Sequence, residues 1–100
     1  MASIATLILR SRFVHADGAI REMVLWRLPR PIPQRPHGFR FRLHYESADG
    51  RSLIRHDNET GKGDHCHVGG REERYRFGGV EVLVEDFLAD IDRSRRGQNR

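Results

Sequence analysis

One hundred residues, 37% hydrophobic and 32% charged, suit a single domain around one modest core. No apolar run is long enough to span a bilayer, and no cleavage region follows the N-terminal ATLIL stretch, so neither a membrane anchor nor a secretory leader is expected. The lone cysteine, Cys66, excludes an internal disulfide and fits a reducing cytoplasm, while a net charge of +4 points to a polyanion or an acidic partner. Lys62 is the sole lysine, so the positive charge is almost all arginine, the donor that grips phosphate and carboxylate bidentately. Genomic base composition is the plain alternative source of that arginine bias.

Residues 4–13 read as a first strand, and Ala16-Asp17-Gly18 as a turn. Residues 19–28 alternate, with Ile20, Val24, Trp26 and Leu28 sharing a face that Glu22 interrupts. All four prolines fall in 29–36, which predicts an extended connection outside the sheet. Residues 39–46 give the clearest alternation: Phe39, Phe41, Leu43 and Tyr45 face one way, and Arg40, Arg42, His44 and Glu46 the other. These aromatics read as core, not as a base-stacking platform, because they oppose the charges. A turn at Ala48-Asp49-Gly50 leads into a fourth strand, 51–57. Residues 58–74 read as a polar loop punctuated by Gly61, Gly63, Gly69 and Gly70. Residues 80–93 carry Val80, Leu83, Val84, Phe87, Leu88 and Ile91 at helical spacing, with acids first and arginines after. A frayed tail, 94–100, completes the chain. The expected fold is α+β, an antiparallel meander of four to five strands packed by one C-terminal amphipathic helix.

The stretch 55–77 concentrates the chemistry. His65 and His67 share a side of an extended segment, with Cys66 opposite; Arg55 and Asp57 share a side of the fourth strand. Metal-free RNA cleavage needs a base for the 2′-hydroxyl, an acid for the leaving oxygen and cations for the developing charge. His65, His67, Glu73 and Tyr75 are the acid/base candidates. Arg55, Lys62, Arg71, Arg40 and Arg42 are the substrate-binding candidates, and Asp57, Asn58 and Asp64 the orienting ones. No cofactor is expected. Should a metal bind, His65 and His67 with Asp57 would hold it, because His-x-His is a two-ligand fragment. Three other readings remain: loop histidines with no role, a non-catalytic module gripping nucleic acid or protein through Arg40, Arg42 and Arg55, and a metal-dependent nuclease or nucleotide-modifying enzyme. Cys66 has no base beyond its neighbouring histidines and is a poor nucleophile candidate. His15 and His37 carry no functional signal.

Several runs together resemble the TumE-type toxins of bacterial toxin–antitoxin pairs. They are Arg55-x-Asp57-Asn58, Lys62-Gly63-Asp64-His65-x-His67, Gly70-x-Glu72 and Tyr75-x-Phe77, with the hairpin FRFRLHYESADGRSLIR before them and the helix VEVLVEDFLADIDR after. The resemblance covers about residues 20–93. It implies a small cytoplasmic toxin neutralised by a cognate antitoxin, typically a helix-turn-helix DNA-binding protein. An RNA substrate is expected, and a homodimer is a further expectation, since an open sheet leaves edges to cover.

Overall fold

A computed structural model describes residues 4–59 and 61–97. Six strands form one sheet in simple chain order, every neighbouring pair antiparallel. The strands are β1 (Thr6–Val14), β2 (Ile20–Arg27), β3 (Phe39–Glu46), β4 (Ser52–Asp57), β5 (His65–Val68) and β6 (Arg71–Arg74), and helix α1 (Val80–Arg95) follows. The sheet is therefore larger than the expected four to five strands, because the polar segment 58–74 contains a hairpin. Gly69 and Gly70 both have positive φ, 58° and 82°, and together form a two-residue turn. Such φ values suit the tight connection whose twist matches its strands. The helix runs two residues beyond 93, so the expected frayed tail begins within it; residues 98–100 of that tail, and Thr60 of the expected loop, lie outside the described residues.

Helix α1 covers one face of the sheet. Leu25, Phe41, Leu43, Ile54, Leu83 and Phe87 are fully enclosed there, with Met23, Tyr45 and Ile91 around them. Val80, Val84 and Leu88 pack partly buried against this core, so the helical stripe lies where its spacing directs it. β2 turns its other face inward from the one marked by Ile20, Val24, Trp26 and Leu28. Its apolar residues occupy both phases between 23 and 26, so alternation alone does not choose. The register with β3 decides: Met23 opposes Leu43 and Leu25 opposes Phe41, while Val24 and Trp26 go to the open face with Arg42 and Arg40.

Polar ties fix the helix on the sheet. His56 Nε2 meets Asp90 Oδ2 at 2.9 Å with both side chains fully enclosed, and Arg93 bonds the other Asp90 oxygen. Tyr75 donates to Asp86 at 2.6 Å. Arg95 donates to the Tyr45 hydroxyl at 2.7 Å and pairs with Asp17 at 3.2 Å, joining the helix end to the first turn.

Replacing Phe87 by Ala should cost about 3–5 kcal/mol, the usual result of emptying a packed aromatic site, read as a lowered urea midpoint at unchanged slope. A loss under about 1 kcal/mol would mean that the helix does not carry the core.

Candidate active site on the open sheet face

The antiparallel register aligns the side chains of the uncovered face in rows. One row runs Arg10, Val24, Arg42, Asp57, His65, Arg74 across the six strands. The next runs Arg12, Glu22, His44, Arg55, His67, Glu72. Directly opposed side chains in such ladders sit close enough to interact. Arginines outnumber carboxylates here, so the face carries much of the positive charge.

Where the rows cross β4 and β5 they form one connected cluster. Asp57 bridges two partners, with Oδ2 3.0 Å from Arg55 Nε and Oδ1 2.9 Å from His65 Nε2. His65 Nδ1 lies 3.0 Å from the Gly63 carbonyl oxygen, so an oxygen stands close to each ring nitrogen. Arg55 Nη2 lies 3.0 Å from His67 Nε2. An arginine can only donate, so this Nε2 holds a lone pair and the proton sits on Nδ1. Partial burial and the Arg55 guanidinium lower the His67 pKa, against an upward pull from Glu72. Glu72 stands 3.7 Å from His67 Nε2 and accepts from Lys62 at 3.1 Å, a bond that lowers the Glu72 pKa. Asp57 and His65 are enclosed, whereas the Arg55 and His67 side chains each keep 30% exposure. His67 and Arg55, with the more exposed Glu72 and Lys62 beside them, are thus the members a solute can reach.

A second network holds the cluster from below. Asn58 is buried, and its amide makes a full set of bonds. Oδ1 accepts from the Phe41 N–H at 3.0 Å and Arg35 Nε at 3.3 Å; Nδ2 donates to the Phe39 carbonyl at 2.9 Å and to Asp64 at 3.0 Å. Arg35 also donates to the Asn58 carbonyl at 2.8 Å. Asp64 then meets His37 at 2.8 Å, and the His37 ring stacks on Phe77 with centroids 4.0 Å apart. Arg35 and His37 belong to the proline-rich segment and its end. The connection expected to be a spacer is therefore bonded to the floor of the site.

The candidates from the sequence divide by face. His65, His67, Arg55, Asp57 and Lys62 come together, and Arg42 and Arg40 extend the same face across β3. Glu73 and Arg71 oppose Cys66 and Val68, on the helix side. Tyr75 lies there too, edge-on to His56 at 4.9 Å. Cys66 is buried on that side. Asp64 serves His37, and Asn58 serves the backbone. Sequence reasoning missed Glu72, which alternation places beside His67 once β5 and β6 are seen as strands, and His37, which gave no local sign. For metal ligation, His65, His67 and Glu72 each offer one ligand atom within 4.8 Å of the others, a group that adds Glu72 to the two histidines of the expected set. His65 Nε2 would first have to leave Asp57.

The family model described as Toxin TumE matches residues 4–95, spanning the whole sheet and helix. The chain belongs to the TumE toxin family. No curated protein and no solved structure matches it. Every residue of the TumE-like runs lies within the matched span, including both histidines of the open face and the Asn58 network beneath them. No helix among the described residues is long and apolar enough to cross a membrane.

Two outcomes follow for this TumE-family chain. Asn58→Ala strands the Phe41 N–H and the Phe39 carbonyl and takes one bond from Asp64, and should cost about 2–4 kcal/mol by urea denaturation; near-neutrality would show that the network holds nothing. In NMR titrations His67 should protonate below the usual value of about 6.5. Arg55→Ala should raise that midpoint by removing a cation, and Glu72→Gln should lower it further by removing an anion; the reverse order would exclude this electrostatic account.

Proposed function

We propose that this toxin cleaves RNA on its open face, with His67 as the proton acceptor. The observation that carries the reading is His67 Nε2, a lone pair held by Arg55 at 3.0 Å on a part-exposed side chain of an arginine-lined surface. A phosphodiester oxygen makes a stronger, charge-assisted acceptor for Arg55 than a neutral imidazole does. Substrate binding therefore draws the guanidinium away and frees the lone pair next to the phosphate. His67 takes the 2′-hydroxyl proton, the 2′-oxygen bonds to phosphorus and the bond to the 5′-oxygen breaks. The departing oxygen takes a proton from solvent on the open side. The products are a 2′,3′-cyclic phosphate and a 5′-hydroxyl end. Arg55 and Lys62 stabilise the charge that builds on the phosphoryl oxygens. His65, enclosed and engaged at both nitrogens, positions: it fixes Asp57, which fixes Arg55.

Membership of the TumE family supports an antitoxin partner. A cognate antitoxin, of the DNA-binding helix-turn-helix kind, would neutralise the toxin in the cytoplasm by laying acidic groups on the arginine rows. The group His65, His67 and Glu72 favours a second reading, a transition metal on nitrogen and oxygen ligands. Chelation separates the two, since the metal-free route survives EDTA.

The test is inducible expression of the wild type, His67→Ala and His65→Ala, following growth and total RNA. The wild type should arrest growth and fragment RNA. A folded His67→Ala protein should lose cleavage by about 100-fold or more, in line with removal of a general base. His65→Ala should retain weak activity with an altered pH profile. RNA left intact during arrest would move the target elsewhere, and a folded His67→Ala protein with full activity would sink the assignment.

A further inference from the structure

Beside the cluster, on the same open face, lies a cavity of about 160 Å³ lined by Glu22, Val24, Trp26, Arg40, Arg42 and Glu59. It is about half the size at which pockets for drug-sized ligands begin, ~300 Å³, so it suits one planar ring system and not a whole nucleotide. We infer that this cavity is a base-recognition subsite that takes a guanine of the RNA chain. The inference rests on the RNA-cleavage reading and gives that reading a sequence preference.

Position supports it first. Arg42 is the cross-strand neighbour of Val24 on one side and of Asp57 on the other, so the cavity adjoins the Asp57–Arg55–His67 cluster without including it. Between the cavity, at β2 and β3, and His67, on β5, lie two to three strand spacings, ~10–14 Å. That is the reach from a base to a phosphate one or two nucleotides along the chain. A substrate lying across the rows can place a phosphate at Arg55 and a nearby base in the cavity.

Chemistry supports it next. Trp26 supplies an aromatic surface, and Arg10 and Arg40, on the strands to either side, hold their guanidiniums 5.9 and 5.8 Å from its ring centroid. Aromatic and guanidinium planes are the stacking platforms used for unpaired bases. The rim combines two arginines with the carboxylates of Glu22 and Glu59. An acidic peptide would be repelled by those carboxylates, whereas a neutral base meets both kinds of group. Guanine presents the acceptors O6 and N7, which match an arginine fork, beside the donors N1–H and N2–H, which match a carboxylate. Uracil lacks the paired donors. Cytosine and adenine offer a donating amine beside a ring nitrogen that accepts.

The test uses fluorescent pentanucleotides of 2′-O-methyl RNA, which bind but lack the attacking hydroxyl: UUGUU, UUAUU, UUCUU and UUUUU. Anisotropy should show UUGUU bound about tenfold more tightly than UUUUU, within the range a bidentate base contact discriminates. An inosine in place of the guanine, lacking the N2 amine, should fall between. Trp26 is the sole tryptophan, so quenching of its emission by UUGUU reports the cavity directly. Glu22→Gln and Glu59→Gln together should bring the ratio to within about twofold, with circular dichroism showing an unchanged fold. Equal affinity for all four oligonucleotides, or a guanine preference that survives both substitutions, would overturn the subsite and leave the RNA reading standing. No binding by any of them at low salt would overturn that reading and the subsite with it.

Discussion

The buried amide of Asn58 holds three separate pieces of chain in one place. It caps the end of β3 through both a backbone N–H and a backbone carbonyl, catches Arg35 from the proline-rich segment, and anchors Asp64 at the entrance to β5. A satisfied buried amide is worth little in net stability, but each partner left without it is costly, so the whole arrangement stands or falls together. The position of β5 depends on this anchor, and with it the distance of His65 and His67 from Asp57 and Arg55. The neighbouring residue in sequence, Asp57, belongs to the candidate site on the open face. Support and chemistry are one peptide bond apart.

Charge is sorted with the same economy. The helix side holds one enclosed histidine–carboxylate pair, His56 and Asp90, sealed from water and used to dock α1. The open side holds a second pair, His65 and Asp57, nearly as enclosed but joined through Arg55 to the exposed His67. Removing either histidine would leave its buried carboxylate to the arginine that remains, Arg93 for Asp90 and Arg55 for Asp57. Both arginines are part-exposed, and only the second pair is joined through its arginine to a further histidine, His67. The arginine rows around it raise the local concentration of polyanions, and they do so less effectively as salt rises.

Most of the fold was legible because β3 and α1 have unambiguous periods, and because two Ala-Asp-Gly turns mark hairpins. The last hairpin was not. Its second strand, Arg71–Arg74, reads REER, with no apolar residue to reveal alternation, and its charges suit an exposed sheet edge. The Gly69-Gly70 pair was the available signal, since such a dipeptide with positive φ at both positions is a hairpin turn. Reading it so would have put Glu72 beside His67 and turned Glu73 away. In β2 the opposite problem arose: apolar residues in both phases concealed which face goes inward, and only pairing with β3 resolves it. The contact of His37 with Asp64 spans a loop and has no local signature.

The period of two along β4 and β5 has a consequence for how this chain can change. Odd and even positions there belong to different jobs, so substitutions can retune one surface without touching the other. Insertions and deletions cannot. Loss of a single residue within β4 would bring His56 into solvent and drive Arg55 under the helix, exchanging the helix dock and the open-face cluster in one event. Such lineages should drift freely by point mutation while keeping the length of these two strands fixed.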